Sequence, residues 1–295
     1  MKILITGSNG LLGQKIVRQL SNASKLNYLA TSQGENRNTS CPSTHYCSLD
    51  ITNAVEVSKT ISNYSPDYII HTAAITNVDY CELNTAECEK VNVTGTKNLF
   101  DAAKKNGTHF LFLSTDFVFD GKKGNYKETD KPNPLSVYAK SKLEGELILM
   151  NSNYSNWSIA RTIIVFGEGE NLSRSNIVLW AKEALSTGKV LNIIDDQFRS
   201  PTWADDLAWG CIQICVQKRK GIYHLSGPES MSIFDLVMRI GSFFKLDTSS
   251  VNRTDSSALN QPAKRPPITG FDLSKSKKDL GYEPKTLEES LLLLS

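Results

Sequence analysis

The sequence predicts a doubly wound α/β fold: a parallel sheet with helices on both faces and a smaller carboxyl-terminal region beside it. Two observations lead there. Short β-branched runs alternate with longer amphipathic segments through the first half of the chain, which is the pattern of βαβ units. A glycine-rich turn, Gly7-Ser8-Asn9-Gly10-Leu11-Leu12-Gly13, follows the first such run and opens the first amphipathic segment. The 295 residues, 40% of them hydrophobic, suffice for one large domain with an appendage and exclude a disordered chain.

Strands are expected at residues 2–6, 26–31, 46–49, 68–72, 110–114 and 158–162. Between the first two, Leu12, Ile16 and Leu20 recur every four residues, one face of a helix. Residues 85–105 are long enough for several helical turns. After Phe166 the alternation becomes irregular, with helices expected at 176–187, 204–216 and 232–244 and a strand at 221–225. Residues 249–267, rich in Ser and Pro, read as a loop between ordered segments that could cover a site.

Charge and composition exclude several roles. With 33 basic and 31 acidic side chains the net charge is +2, so no global field draws in nucleic acid or an anionic membrane. The runs Lys104-Lys105 and Lys218-Arg219-Lys220 sit near expected helix ends and read as solvated termini. No stretch approaches the roughly eighteen apolar residues of a membrane span. The first six residues suit a buried strand better than a signal peptide, so the expected location is cytoplasmic, with the six cysteines as reduced thiols. Cys211 and Cys215 share a helical face and suggest either a metal site or core packing; the lack of a second ligand pair nearby favours the core.

The glycine turn has the placement that a dinucleotide-binding loop requires, strand before and helix after. Glycines let backbone N–H groups approach a pyrophosphate, and the helix amino terminus adds its positive dipole end. A tight strand-to-helix turn with no ligand is the alternative. The spacing is G-x-x-G-x-x-G. In dinucleotide folds an acidic side chain ending the second strand binds the ribose 2′-hydroxyl, but here that place holds Thr31, Ser32 and Gln33, which favours NADP over NAD. Arg37 is a candidate partner for the 2′-phosphate, or an ordinary solvated arginine. Asp50, just after the third expected strand, is placed either to accept a hydrogen bond from the adenine amine or to cap a helix over residues 51–64.

Tyr138-Ala139-Lys140-Ser141-Lys142 puts a phenol and an ammonium one turn apart on one helical face. A phenol is a poor acid–base group at neutral pH, and a nearby cation lowers its pKa; Lys142 is expected to do so while hydrogen-bonding a nicotinamide ribose. Ser114-Thr115-Asp116 lies at the carboxyl end of a buried strand, where ligands of open α/β sheets bind. Thr115 is placed to hydrogen-bond a substrate carbonyl; local turn bonding is the alternative, for Ser114 especially.

Together the glycine loop, His71-Thr72-Ala73-Ala74, the run from Ser114 through Phe117 and Phe119 to Gly121, and Tyr138-x-x-x-Lys142 resemble the extended short-chain dehydrogenase/reductase family. Further similarity at Arg161-Thr162, Phe166-Gly167, residues 196–202 and Arg265-Pro266 extends the resemblance over nearly the whole chain. It implies a Rossmann domain over residues 1–165 that binds NADPH. Residues 166–295 are then mainly a substrate-binding region, with some elements returning to the sheet. By residue-wise carry-over, Thr115, Tyr138 and Lys142 form the catalytic set. Gly7, Ser8, Asn9, Gly10, Leu11, Leu12 and Gly13, with Ser32, Arg37, Asp50, Ile51, Ala73, Ala74, Tyr138 and Lys142, hold the cofactor. Thr76, Val78, Asp116, Phe117, Phe119, Arg199 and Arg265 face the substrate.

The implied activity is NADPH-dependent reduction of the 4-keto group of a nucleotide-linked deoxysugar, as in the rhamnose-forming members. Ile164 departs from their pattern, standing where they tend to carry tryptophan, and Arg199 stands where they often have glycine. Two other implications stay open. One is a non-catalytic, NADP-binding regulatory subunit, since the β subunit of methionine adenosyltransferase is similar to this family; the other is a reductase or epimerase of a different nucleotide-sugar. Some members resemble one another in a Mg²⁺ dependence at a dimer contact, but those acidic positions have no match here, so metal dependence is unknown and no metal ligand is assigned. The expected partners are a nucleotide-sugar and a second copy in a homodimer, with no nucleic acid and no membrane.

Overall fold

In β1 (Lys2–Thr6), Ile3 and Ile5 point to one face and Leu4 to the other, and all three are fully buried. A strand without a solvent face must lie inside a sheet covered on both sides. The computed structural model, which describes residues 1–23 and 26–294, shows such a sheet. The strands following β1 are β2 (Asn27–Ser32), β3 (Tyr46–Ser48), β4 (Tyr68–His71), β5 (His109–Thr115) and β6 (Trp157–Thr162). Short pairs come next: β7 (Val165–Phe166), β8 (Leu191–Ile194), β9 (Phe198–Arg199) and β10 (Thr202–Trp203). β11 (Gly221–His224) then returns to the central sheet, which has seven parallel strands in the order β11-β6-β5-β4-β1-β2-β3. The order reverses between β1 and β4, which leaves a crevice at their carboxyl ends.

The helices are α1 (Leu11–Ser21), α2 (Ala54–Tyr64), α3 (Val78–Leu83), α4 (Thr85–Glu89), α5 (Thr96–Lys105), α6 (Val137–Met150), α7 (Ile177–Ser186), α8 (Ala204–Val216) and α9 (Ile233–Phe244). On one face Leu12, Ile16 and Leu20 of α1 and Leu207, Cys211 and Cys215 of α8 pack against Ile3 and Ile5. The two cysteines are core residues. On the other face α2, α5 and α6 bring Ile61, Phe100 and Leu149 against Leu4, Ile69 and Phe110. A separate core, with Phe166, Val178, Trp203, Leu236 and Ile240, lies between α7 and α9.

Two expectations change. Residues 249–267 are not all loop: after β12 (Met231–Ser232), β13 (Val251–Thr254) pairs in parallel with β8, and just past the stretch β14 (Ile268–Thr269) pairs with β9. Propensity missed β13 because Asn252 and Arg253 gain their strand geometry from pairing with β8, not from local preference. Residues 85–105 are interrupted by a wide π-helical turn, Lys90–Gly95. Such turns occur where a helix presents a side chain out of its regular phase. Here it presents Asn92, which is buried. The Asn92 amide accepts from the N–H of Ile75 (2.8 Å) and donates to its carbonyl (3.0 Å) and to the Ser141 hydroxyl of α6 (3.0 Å). One side chain therefore ties the loop after β4 to the helix bearing Tyr138.

Asn92→Ala leaves the part-buried N–H and carbonyl of Ile75 without their partner, so it should destabilise the protein by about 1–3 kcal/mol. A denaturant midpoint equal to wild type would contradict this account of the π turn.

Candidate functional site

The glycine loop is shaped by close backbone approach. Gly7 has φ of +72°, and a Cβ there would sit 2.6 Å from the amide nitrogen of Ala73. A Cβ on Gly13 would collide with the Gly7 carbonyl and lie 2.6 Å from the Ser8 Cα. Both glycines are thus required for the loop to pass between β4 and α1. The amides of Leu11, Leu12 and Gly13, first in α1, have no acceptor within their helix and open onto the crevice. Asn9 fixes the neighbouring loop: its side chain donates to the Glu35 carbonyl (2.8 Å) and accepts from the Arg37 N–H (2.9 Å).

The crevice is a cleft of about 910 Å³. At one end it is lined by Gly7, Asn9, Gly10, Leu11, Leu12 and Gly13, with Ser32, Arg37, Asp50, Ile51, Ala73 and Ala74 around them. At the other it is lined by Thr115, Tyr138, Lys142, Thr76, Val78, Asp116, Phe117 and Arg265. A glycine cradle with free helix-terminal amides, no acidic side chain at the end of β2 and an exposed Arg37 is a donor set that fits a dinucleotide phosphate.

Three expected placements are corrected, and one alternative is removed. Ser8 does not face the cleft; its side chain is buried and its N–H donates to the Thr31 carbonyl (3.0 Å), pinning the loop to β2. Phe119 lies in the core, stacked on Tyr126 at 4.0 Å, because the turn at Asp116–Val118 redirects the chain after β5. Arg199 is buried away from the main cleft. Its guanidinium donates to the carbonyls of Phe198 (2.7 Å), Pro266 (2.6 Å) and Pro267 (3.1 Å) and lines an adjoining cavity of about 290 Å³. Asp50 lines the cleft but caps no helix: it accepts from the N–H and hydroxyl of Thr52, both at 2.8 Å, and Asn53 caps α2 instead.

Around Tyr138 the electrostatics also differ from expectation. Burial pushes its phenol well above the ordinary value, and the Thr115 hydroxyl beside it pulls partly back. Arg174 is the cation that pulls on it most, ahead of Lys142. The Lys142 Nζ lies 4.1 Å over the Phe112 ring, and burial lowers the ammonium itself to about 7. Asp116 is buried, raised above the usual carboxylate range by desolvation, and hydrogen-bonded by the hydroxyls of Thr115 (3.0 Å) and Thr269. Phe117 separates Tyr138, ring centroids 6.4 Å apart, from the Arg199 guanidinium, 5.3 Å over its other side. Arg265 is clamped by Asp79 (2.6 Å) at the cleft edge.

Sequence reasoning missed the segment between β7 and α7. Arg174 reaches Thr76, donating to its hydroxyl at 2.6 Å. Glu170 bridges the far end: its N–H and carbonyl pair with Gln14 (2.8 and 2.7 Å), and its carboxylate accepts from Thr39 (2.6 Å). Ile164, between β6 and β7, has φ of +29° and lines both cavities. A β-branched residue there is strained, the kind of outlier that concentrates at ligand sites. Among the described residues no group of three His, Cys, Asp or Glu side chains could hold a metal, and no helix is long and apolar enough to cross a membrane.

The family model for the RmlD substrate binding domain matches residues 1–294. The chain belongs to that family. It is a family of NAD(P)-dependent oxidoreductases of the extended short-chain dehydrogenase/reductase type, as the glycine loop and the Tyr138–Lys142 pair led us to expect. The chain is 33% identical to dTDP-4-dehydrorhamnose reductase of Aggregatibacter actinomycetemcomitans, over 98% of this chain and 97% of that one. It is 31% identical to methionine adenosyltransferase 2 subunit beta of Xenopus tropicalis, over 94% of this chain and 82% of the relative. Its fold superimposes on the crystal structure of dTDP-4-dehydrorhamnose reductase from Bacillus anthracis in complex with NADP, with a TM-score of 0.85, 25% identity and coverage of 99% and 98%.

Gly13→Ala should weaken dinucleotide binding by at least about tenfold, or about 1.4 kcal/mol, read by nicotinamide fluorescence; unchanged affinity would show that the loop is only a turn. Burial depresses the Lys142 pKa, so the unfolded chain binds the extra proton between about pH 7 and about 10.4, and stability rises with pH across that window. Lys142→Met should therefore exceed wild type in denaturant midpoint by more at pH 7 than at pH 10. A difference independent of pH would contradict the burial of this charge.

Proposed function

We propose that the protein is a reductase of the 4-keto group of a nucleotide-linked deoxysugar, with NADPH as reductant and dTDP-4-dehydrorhamnose as the first substrate to test. The observation that carries this reading is the buried phenol of Tyr138 beside Thr115 and Asp116, at the carboxyl end of β5. A phenol pushed upward by burial holds its proton at neutral pH, and reduction of a ketone needs a proton donor at its oxygen. Bound in the glycine cradle, a nicotinamide dinucleotide supplies hydride to the carbonyl carbon. Tyr138 Oη gives its proton to the carbonyl oxygen, so the ketone becomes an alcohol. Thr115 Oγ1 shares in orienting that oxygen, and Lys142 holds the nicotinamide ribose. Arg174 and Arg265 bring cations to the cleft that suit a diphosphate.

The cofactor preference rests on Ser32 and Gln33 in place of a carboxylate, on Arg37 at the cleft, and on similarity to the Bacillus anthracis protein in complex with NADP. Similarity to methionine adenosyltransferase 2 subunit beta favours one second reading, a dinucleotide-binding regulatory subunit. That reading predicts NADPH binding and copurification with a partner enzyme, without turnover of the sugar.

Tyr138→Phe should leave NADPH binding largely intact and lower turnover of dTDP-4-dehydrorhamnose by roughly two to four decades. Steady-state rates followed by loss of NADPH absorbance, with NADH in parallel, check this; undiminished turnover would remove Tyr138 from the mechanism.

A further inference from the structure

Tyr138, Lys142 and Glu146 stand at four-residue intervals on one face of α6, and all three are buried. Each step advances about 6 Å along the helix. The Glu146 carboxylate is held by Arg161 of β6, whose Nε donates to Oε1 at 2.8 Å and Nη2 to Oε2 at 2.6 Å. The pair is dry, with side-chain exposures of 1% and 0%. On its other side the Arg161 guanidinium meets the Phe119 ring at 5.1 Å and His224 at 3.5 Å. We propose that Glu146 is a positioning residue for the Tyr138–Lys142 pair, fixed by Arg161 and acting as the counter-charge that lets Lys142 remain an ammonium at the base of the cleft.

The surroundings of Lys142 support this. A buried ammonium without an opposite charge gives up its proton. Besides Tyr138 and Glu146 on α6, the titratable groups facing Lys142 are His71 on β4 and Cys88 on α4, with Arg161 of β6 behind Glu146. β5 places the Phe112 ring against it. His71 is held neutral by burial, with its ring nitrogens bonded to Thr6 (2.7 Å) and Thr96 (3.0 Å). The Cys88 thiol is lowered to about 7, chiefly by its hydrogen bond with Cys81; it meets the Ser141 hydroxyl (3.5 Å), accepts from the Asn92 amide (3.4 Å), and is a second, weaker influence that raises Lys142. Glu146 is the carboxylate among them, one turn from Lys142 on the same helical face and held there by its bidentate pairing with Arg161. Desolvation drives Lys142 down to about 7, and Glu146 is the strongest opposing influence.

The proposal rests on the reductase reading only for the role of Lys142, and its test needs neither substrate nor cofactor. In protein labelled with ¹³C-lysine, the Cε resonance of Lys142, assigned by its loss in Lys142→Arg, is followed against pH. Glu146→Gln should lower its midpoint by about one unit or more, and Glu146→Asp should restore much of the shift. Cys88→Ser should lower the midpoint by less than Glu146→Gln does. Removing one member of a buried pair can unfold a protein, so the apolar double variant Glu146→Leu/Arg161→Leu provides the same reading and should also titrate lower. An unchanged midpoint in the folded Glu146 variants, or a shift with Cys88→Ser as large as that with Glu146→Gln, would overturn the proposal. A shifted midpoint in a protein that reduces no sugar would uphold it and count against the reductase reading alone.

Discussion

The buried pair between Arg161 and Glu146 sets the position of everything on α6 relative to the sheet. Bidentate geometry fixes both distance and rotation, so the helix cannot slide without leaving a charge unpaired inside the protein. Such pairs add little net stability over well-packed apolar residues, whereas breaking one costs roughly 3–5 kcal/mol. Its consequence is register. With Glu146 held against β6, Lys142 and Tyr138 fall at the carboxyl ends of the strands, and the Asn92 amide secures the same helix to the loop after β4 through Ser141.

Exclusion of water gives the cleft its chemistry. The same burial that holds the Tyr138 phenol above its ordinary value brings the Lys142 ammonium toward neutrality. A protonated phenol and a marginal ammonium form a pair whose balance shifts with whatever binds beside it. Asp116 is drawn into this low-dielectric setting too, with Thr269 and Thr115 as its donors and Arg199 as its nearest cation, 3.9 Å away. Desolvation outweighs direct pairing at each of these groups.

Much of the fold was legible in the chain because the signals are local. Alternation in Lys2–Thr6, the four-residue spacing of Leu12, Ile16 and Leu20, and the glycines between them specify strand, turn and helix without help from elsewhere. Tyr138 and Lys142 were legible for the same reason. Side-chain direction at strand ends was not, as Phe119 illustrates: one short turn after β5 rotates it into the core, and only the packing of Tyr126 reveals that. Arg199 reads as a substrate-facing residue in sequence, yet its donors are taken by carbonyls of residues 266 and 267, far along the chain. Glu170 and Arg174 lie in an irregular segment with no periodicity, and their partners Gln14, Thr39 and Thr76 are 98 or more residues away. No window of sequence holds both halves of such a contact.

The reductase account is tested most directly by tracing the hydride. The protein is incubated with dTDP-4-dehydrorhamnose and NADPH carrying deuterium at one or the other face of nicotinamide C4, and the sugar product is analysed by NMR. The account predicts deuterium at C4 of the sugar from one of the two labels and none from the other. A sugar recovered unreduced, or a product without deuterium from either label, would contradict it.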